Sequence, residues 1–376
     1  MKAPRVIGGV CLSVNPKGCM ELARKWIADE KKNPPLSSGP KSVLVLGCSG
    51  GYGLAARVVA AFGGRAHTLG VSFERAPTVK RAGTPGWYNN LAFDAAAAEE
   101  GLFAETLVAD AFLDATREAV ISRARERGLP PFDLVIYSLA APQRTDPATG
   151  VTYRSAIKPI GEPLTGQTLD VATSTLADVA IEAATPEEVE GTVKVMGGED
   201  WLLWMRALTE AGLLAKGARA VAFSYIGPDS TYAIYRSGTL GKAKEHLEST
   251  AAEIGRLLEP LGGAAHVAVC KALITRASSV IPIMSVYVCA MYKVMKAKGL
   301  HEGCLEQMVR LFRDRLYAGC PVPVDEKGRI RVDDWELRPD VQAEVADILS
   351  RVTQENLAEL TDTEGCRSDL MALYGF

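Results

Sequence analysis

A tyrosine and two lysines stand close together in the segment YRSGTLGKAK, residues 235–244. A phenol with a pKa of about 10 can donate a proton, and a nearby ammonium makes it a better acid because it stabilises the phenolate. Lys242 and Lys244 are the candidates for that ammonium. On one continuous helix only Lys242 would share the face of Tyr235, but the intervening glycines make continuity doubtful, and we expect the helix to begin near 239–241. The spacing leaves both lysines open, as well as the alternative of a buried tyrosine followed by exposed lysines.

A glycine-rich segment, GCSGGYG at residues 47–53, directly follows the apolar run SVLVL. Glycine permits a tight turn and lets the backbone approach a pyrophosphate, while the N-terminus of the next helix presents free N–H groups to the anion. The strand–turn–helix context favours a dinucleotide site over a glycine-rich turn that binds nothing.

Polar residues also occur at the carboxyl ends of the next three predicted strands. Glu74 lies about 20 residues past the glycines, where an acid can bond the ribose hydroxyls of a dinucleotide. Its charge favours NADH over NADPH, although the neighbouring Arg75 could accept a 2′-phosphate. Asp110 could receive the adenine amino group, and residues 138–140 would pass beside the ribose or nicotinamide. Each alone could be an ordinary strand-end residue, but together they support a dinucleotide site.

The elements that would position these residues alternate between strand and helix. Strands are predicted at 42–46, 66–74, 105–110, 132–142, 218–227 and from 265, with helices that include 112–127 and 199–214. This order predicts an α/β fold with a Rossmann-like doubly wound parallel sheet. Residues 143–192 are rich in Thr, Pro, Gly and Asp, and we expect a small β-rich cap insertion over the substrate site. The C-terminal part is predicted to be helical, and residues 1–376 to form a single catalytic domain.

Composition and charge narrow the classes of function. The 376 residues are 48% hydrophobic and 23% charged, and the net charge of −3 gives no support to nucleic-acid binding. Eight cysteines and four histidines show no metal-ligand spacing, so no metal site is expected. The apolar run at 279–292 contains a proline and is shorter than the roughly 18 residues of a membrane span, so it predicts a buried helix.

The N-terminal run IGGVCLSV, residues 7–14, predicts a first strand and not a signal peptide, because no small-residue cleavage site follows it. This favours a cytoplasmic protein, with a processed mitochondrial form as the alternative.

Several sequence blocks occur in an order that resembles one enzyme family. They are GCSGGYGLA, GTPGWYNNLAFD, YSLAAPQRTDP, TVKVMGGEDW, SYIGP, a Tyr-x8-Lys pair and HEGCLEQ. Together they resemble the NADH-dependent trans-2-enoyl-CoA reductases and the similar FabV-type enoyl-ACP reductases, from about residue 5 to the C-terminus. The fold that this implies is a Rossmann sheet of the extended short-chain dehydrogenase/reductase type.

The resemblance implies roles for particular residues. The family's Tyr-x8-Lys spacing falls on Tyr235 and Lys244 as the catalytic pair, and Tyr225 is implied to lie against the acyl substrate. The NADH-binding set that we predict from the strand ends and this resemblance is Gly47, Cys48, Ser49, Gly50, Gly51, Tyr52, Gly53, Glu74, Arg75, Asp110, Ala111, Ser138, Leu139, Ala140, Lys244, Leu273, Ile274 and Thr275.

The implied reaction moves a hydride from NADH to C3 of an enoyl-CoA or enoyl-ACP thioester, with Tyr235 as the acid and Lys244 supporting it. Such a step serves fatty acid synthesis or butyryl-CoA formation, and it needs no flavin because the nicotinamide carries the hydride. One alternative is a 3-oxoacyl or other carbonyl reductase, although its lysine normally follows the tyrosine by four residues, where Thr239 stands. The other is a non-catalytic NAD(H)-sensing module. A monomer or weak dimer is expected.

Overall fold

The computed structural model describes residues 4, 6–7, 10–319 and 321–376. The strands within them are β1 (Val6–Ile7), β2 (Val10–Cys11), β3 (Ser42–Leu46), β4 (His67–Ser72), β5 (Ala104–Val108), β6 (Phe132–Tyr137), β7 (Gln143–Thr145), β8 (Thr152–Arg154), β9 (Leu164–Asp170), β10 (Thr175–Ile181), β11 (Leu214–Ser224), β12 (Ala264–Val269) and β13 (Ile330–Arg331). The α-helices are α1 (Pro16–Glu30), α2 (Gly51–Val58), α3 (Pro85–Glu99), α4 (Asp114–Glu126), α5 (Pro186–Met196), α6 (Glu199–Glu210), α7 (Tyr232–Tyr235), α8 (Thr239–Leu258), α9 (Met284–Ala297), α10 (Cys304–Leu311), α11 (Pro339–Arg351), α12 (Leu357–Leu360) and α13 (Thr363–Ala372). Short 3₁₀ helices cover Asp229–Thr231 and Glu259–Leu261, and π-helical segments extend α2 and α10 over Val59–Gly63 and Phe312–Leu316.

One parallel sheet organises the molecule, with the strand order β5-β4-β3-β6-β11-β12-β13. β3 lies in the middle, and all of its residues are buried. Val43 and Val45 pack into the core on one face, and Leu44 and Leu46 into the core on the other. A strand covered on both faces needs apolar side chains throughout, which explains the continuous run SVLVL. The order is that of two mononucleotide-binding halves with one added strand, so the predicted doubly wound parallel sheet is confirmed.

The segment 143–192 contains two antiparallel hairpins followed by a helix. β7 pairs with β8, and β9 pairs with β10. The second hairpin packs on α9, where the Leu169 N–H donates to the Ser285 hydroxyl at 2.9 Å. The expected β-rich insertion at 143–192 also contains the first turns of a helix, because α5 begins at Pro186. Thr185 and Glu188 form a capping box there, each side chain accepting the backbone N–H of the other.

The C-terminal helices complete the fold around α9, and the N-terminal strands lie outside the main sheet. The single first strand expected at 7–14 is instead two short strands, β1 and β2, which pair with each other outside the main sheet. The buried helix expected at 279–292 is α9, which begins only after Pro282. The helical C-terminal part is confirmed, and its helices α11 and α13 pack on α9. Among the described residues, no helix is both long enough and apolar enough to cross a membrane.

Candidate active site

The site opens at the carboxyl ends of β3 and β6, where the strand order reverses. Gly47 follows β3 with a φ of 87°, and a Cβ there would lie 2.1 Å from the Ser138 carbonyl oxygen, so only glycine fits between the strand ends. A Cβ on Gly53 would lie 2.0 Å from the Gly47 carbonyl oxygen, so α2 starts close against the turn. The space beside Gly50 is open, with no heavy atom of the described chain within 4 Å of a Cβ there. The start of α2 can therefore present its free N–H groups to an anion.

Two side chains of this turn point away from the open space. The Cys48 thiol is fully buried beside Arg57, and burial raises its pKa to about 11. The Tyr52 hydroxyl donates to the Lys271 carbonyl oxygen at 2.6 Å. Among the predicted residues 47–53, these two can offer a ligand only their backbone groups.

Glu74 follows β4 and is buried at the rim of the glycine turn. Its Oε1 accepts hydrogen bonds from Ser49 Oγ at 2.7 Å and from Arg276 Nη1 at 3.0 Å. Within the described chain its Oε2 has no partner, and neither has Oδ1 of Asn89, whose side-chain nitrogen donates to the Ser49 carbonyl oxygen. Two buried acceptors that lack donors fit the hydroxyls of a ribose.

Arg276, Phe73 and Asn89 are residues of this region that the sequence reasoning missed. The cation that meets Glu74 is Arg276, whereas the predicted Arg75 has an exposed side chain. The Phe73 ring is 80% exposed at the end of β4, a position from which it can pack against a base. An aromatic residue next to the predicted Glu74 could have indicated from the sequence that Phe73 contacts a base. No local pattern in the sequence distinguishes Asn89.

The remaining strand-end residues lie along the same edge of the sheet. Asp110 follows β5 and uses Oδ1 to accept the Phe112 N–H at 3.0 Å. Ala111 is buried beside it. Leu139 is half-buried and Ala140 exposed after β6. Parallel strands bring their carboxyl ends to one edge, and for this reason these residues, although distant in the chain, border one opening.

The predicted residues after β12 face the glycine turn from the opposite side. A Cβ on Gly51 would lie 3.9 Å from Thr275 Cγ2. The Leu273 and Ile274 side chains are buried in the core. The Ile274 N–H donates to the Tyr292 hydroxyl at 3.2 Å and the Leu273 carbonyl oxygen accepts from Ser278 Oγ, so only the other backbone groups of these two residues could contact a ligand. Thr275 Oγ1 and Ser278 Oγ are 3.1 Å apart, so Thr275, which lies beside the glycine turn, has a second hydroxyl next to its own.

Tyr235 ends α7 and is buried, with 7% of its surface exposed. Its ring meets the Tyr225 ring edge-on, with centroids 4.6 Å apart and an interplanar angle of 82°. Its hydroxyl forms no hydrogen bond within the described chain. Burial and then the Glu336 carboxylate raise the pKa of Tyr235.

The two candidate lysines differ in their burial and in their partners. α8 begins at Thr239, within the expected range, and Lys242 lies exposed on it in an ion pair with Glu245 at 3.0 Å. Lys244 is half-buried and has neither a hydrogen bond nor an ion pair in the part of the chain that is described. Burial lowers the pKa of Lys244 to about 8. An unpaired, desolvated ammonium is costly and typical of functional sites, so Lys244 is the better candidate.

Tyr225 is tied to a carboxylate that the sequence reasoning missed. Its hydroxyl donates to Glu336 Oε1 at 2.8 Å, and the Tyr287 hydroxyl donates to the same oxygen at 2.7 Å. Glu336 Oε2 accepts the Ala272 N–H at 2.7 Å. Glu336 is 111 residues from Tyr225 in the chain, so no local pattern connects them.

A mainly apolar cavity of about 280 Å³ adjoins α7. Its lining includes Leu164 and Thr165 from β9, Ile234 from α7, Met284 and Val286 from α9, and Leu349 from α11. Ile234 directly precedes Tyr235, so an apolar chain held in the cavity would end near the phenol. The site can therefore combine a bound dinucleotide, an apolar substrate chain and a proton donor.

Comparison with protein families finds matches along the whole chain. Residues 1–79 match the NAD(P)H binding domain of trans-2-enoyl-CoA reductase, and residues 81–317 match the trans-2-enoyl-CoA reductase catalytic region. Residues 324–376 match a model described as the enoyl reductase FAD binding domain.

Individual relatives are similar over nearly their full length. The trans-2-enoyl-CoA reductase [NADH] of Treponema denticola is 50% identical, with 99% of this chain and 95% of that protein aligned. The enoyl-[acyl-carrier-protein] reductase [NADH] of Flavobacterium johnsoniae is 49% identical, with 99% and 94% aligned. The crystal structure of the Treponema denticola enzyme in complex with NAD superposes with a TM-score of 0.96, covering 100% of this chain and 94% of that one.

Residues 324–376 do not fit a flavin. The three glycines of this segment are scattered over it and form no phosphate-binding turn. Its Arg329 and Arg331 are already paired with Asp325 and Asp333. Helices α11 and α13 of this segment pack on α9.

Proposed function

Because the chain belongs to the trans-2-enoyl-CoA reductase family, whose catalytic region matches residues 81–317, we propose that it reduces trans-2-enoyl thioesters with NADH. One observation carries the proposal. Tyr235 directly follows Ile234, which lines an apolar cavity, and its hydroxyl has no hydrogen bond within the described chain. The half-buried Lys244, nine residues later, has no ion-pair partner there either. The relatives named above support both enoyl-CoA and enoyl-acyl carrier protein as the substrate class.

NADH would bind along the strand ends. Its pyrophosphate would accept hydrogen bonds from the backbone of residues 50–53 and from Thr275. Its adenosine ribose would donate to the free oxygens of Glu74 and Asn89, and the Glu74 charge would oppose a 2′-phosphate. Asp110 would bind the adenine amino group. The other contacts that we propose are Gly47, Cys48, Ser49, Arg75, Ala111, Ser138, Leu139, Ala140, Lys244, Leu273 and Ile274. When bound, NADH supplies the hydride that adds to C3.

Tyr235 would supply the proton. Hydride addition at C3 leaves negative charge on the thioester oxygen, and a phenol that hydrogen-bonds to this oxygen stabilises the charge. The raised pKa of Tyr235 means that it gives up its proton only to a strongly basic group, which the enolate is. Transfer of that proton to C2 completes the saturated thioester. The Lys244 ammonium would support the phenolate that remains.

The acyl chain would occupy the cavity beside α7. β9 contributes Leu164 and Thr165 to its wall, so the insertion at 143–192 would cover the substrate, and the Tyr225 ring would border the reacting end. Such a reaction would serve fatty acid synthesis or the formation of butyryl-CoA.

The test follows NADH absorbance with crotonyl-CoA in the parent protein and in Tyr235→Phe, Lys244→Ala and Lys242→Ala. We expect substrate-dependent oxidation of NADH that collapses in the first two variants and persists in Lys242→Ala, because Lys242 is paired with Glu245 at the surface. Loss of activity in Lys242→Ala alone would contradict the assignment of Lys244. A parent protein that binds NADH and reduces acetoacetyl-CoA but no enoyl thioester would replace the proposal with a ketone reductase. Repeating the assay with crotonyl-acyl carrier protein compares the two carriers.

A further inference from the structure

Glu336 is a buried carboxylate for which the proposed reaction has so far no use. It lies between β13 and α11, and its side chain is 0% exposed. Its oxygens accept hydrogen bonds from neutral donors. The buried Lys271 ammonium attracts the carboxylate, but among the described residues Glu336 forms no ion pair. A buried carboxylate without an ion-pair partner lowers the free energy of unfolding, so a functional role would explain its presence in the core.

The three hydrogen bonds of Glu336 join separate parts of the site. Oε1 accepts from Tyr225, which follows β11, and from Tyr287 of α9. Oε2 accepts from the Ala272 N–H, at the start of the loop that faces the glycine turn. All three partners are donors, and a carboxylate is the side chain that can accept from all of them at once.

The bond to Tyr225 decides which phenol can donate to a substrate. Because the Tyr225 hydroxyl hydrogen points to Glu336, Tyr225 cannot donate the same hydrogen elsewhere. Its ring is held edge-on against Tyr235, with centroids 4.6 Å apart. The Tyr235 hydroxyl donates to no group among the described residues, so its hydrogen remains available to a substrate.

We propose that Glu336 is a positioning residue for this reaction. It fixes the Tyr225 ring against Tyr235, and by accepting the Tyr225 hydroxyl hydrogen it leaves Tyr235 as the phenol that donates to the substrate oxygen. The proposal rests on the proposed function and deepens it. It also gives the segment 324–376 a part in the active site that requires no flavin.

A kinetic test compares the parent protein with Glu336→Gln and with Glu326→Gln, an exposed control in the same segment. The glutamine oxygen can still accept from Ala272, but its amide nitrogen can only donate, so the bond to Tyr225 is reversed. We expect kcat for crotonyl-CoA to fall about 10- to 100-fold, as for other small misplacements of a reacting group. KM and the NADH dissociation constant should change less than about threefold, since ground-state contacts remain. Parent-like kcat in Glu336→Gln overturns the proposal.

A double-variant comparison tests whether the effect passes through Tyr225. In the Tyr225→Phe background we expect Glu336→Gln to alter kcat by less than about twofold, because the bond is already absent. If the kcat losses of the two single variants multiply in the double variant, Glu336 acts by a route other than Tyr225 and the proposal is overturned. If Glu336→Gln does not fold, Tyr225→Phe breaks the same bond from its other end and should itself lower kcat about tenfold or more.

A spectroscopic measurement keeps this proposal separate from the reductase assignment. In protein that carries fluorotyrosine, the fluorine resonance of residue 235, assigned by its loss in Tyr235→Phe, should shift in Glu336→Gln and stay in place in Glu326→Gln. A shift in a protein that reduces no enoyl thioester would support the positioning role while the reductase proposal fails. An unmoved resonance with unchanged kinetics would refute the role of Glu336 alone.

Discussion

Replacement of Lys244 by methionine is expected to stabilise the fold and abolish activity. The ammonium of Lys244 is desolvated and has no ion-pair partner in the described chain, so the folded protein holds a charge in an unfavourable place. Burial lowers its pKa from an ordinary 10.5 to about 8. Methionine has a similar unbranched shape and no charge, so it should occupy the same space without this cost.

The size of the effect follows from the two pKa values. The interval between 10.5 and about 8, at about 1.4 kcal/mol per pH unit, corresponds to about 3 kcal/mol. Since the pKa is lower in the folded state, the unfolded chain binds more protons between these values. The destabilisation is therefore fully present below pH 8 and fades as the pH rises toward 10.5. Lys244→Met should be more stable than the parent by up to about 3 kcal/mol at pH 7 and by less than about 1 kcal/mol at pH 10.

Urea unfolding of the parent and of Lys244→Met at several pH values measures this difference, with NADH oxidation recorded on the same samples. Lys242→Met is the matched control on the same helix, and its exposed ion pair with Glu245 should make it differ from the parent by less than about 0.5 kcal/mol at every pH. The reasoning is refuted if Lys244→Met is less stable than the parent at pH 7, or if its advantage does not depend on pH.

Three further changes test the rest of the site. Gly47→Ala should destabilise the protein by about 2 kcal/mol or more, because its φ is positive and the Ser138 carbonyl oxygen occupies the space of a Cβ; thermal unfolding measures this. Glu74→Gln should weaken NADH binding about tenfold and narrow the preference over NADPH, because the ribose loses a charged acceptor while Arg276 remains; fluorescence titration with both nucleotides measures this. Thr165→Trp should lower turnover of octenoyl-CoA at least about tenfold more than that of crotonyl-CoA, because the new ring fills the cavity; NADH oxidation with the two thioesters measures this.

Matched variants accompany these changes. Gly50→Ala has open space for its methyl group and should cost much less stability than Gly47→Ala. Equal losses of stability in the two variants would contradict the conclusion that the Ser138 carbonyl oxygen leaves room only for glycine at position 47. Lys80→Ala should leave NADH affinity near that of the parent, because Lys80 is exposed and is not among the proposed NADH contacts. Ala177 is exposed on the same hairpin as Thr165, so Ala177→Trp should leave turnover of octenoyl-CoA near that of the parent. A loss similar to that of Thr165→Trp would contradict the proposed position of the acyl chain.

The sheet and the glycine turn were predictable because their signals are local. Ser42–Leu46 is a continuous apolar run, and the glycines follow it at once. The capping box at Thr185 and Glu188 was also readable from four consecutive residues, and recognising it would have placed the start of α5.

The lysine and the carboxylate of the site depend on packing between distant segments. Whether Lys242 or Lys244 is desolvated depends on where α8 lies against its neighbours, which their spacing from Tyr235 does not specify. Glu336 meets Tyr225 across 111 residues, and a single glutamate in DDWELRP has no pattern that distinguishes it from a surface residue. The spacing alone therefore left both lysines open, the family resemblance selected Lys244, and Glu336 was missed because only a tertiary contact defines it.

The position of α9 within the fold has a consequence for synthesis of the chain. α9 is apolar on nearly all sides, and the helices α11 and α13 that cover it come later in the sequence. A ribosome that adds roughly 5 to 20 residues per second needs several seconds to make them, and during that time the nascent chain carries an uncovered apolar helix. We therefore expect chains that end before α11 to aggregate, and faster translation of the final codons, or a chaperone that shields α9, to raise the yield of folded protein.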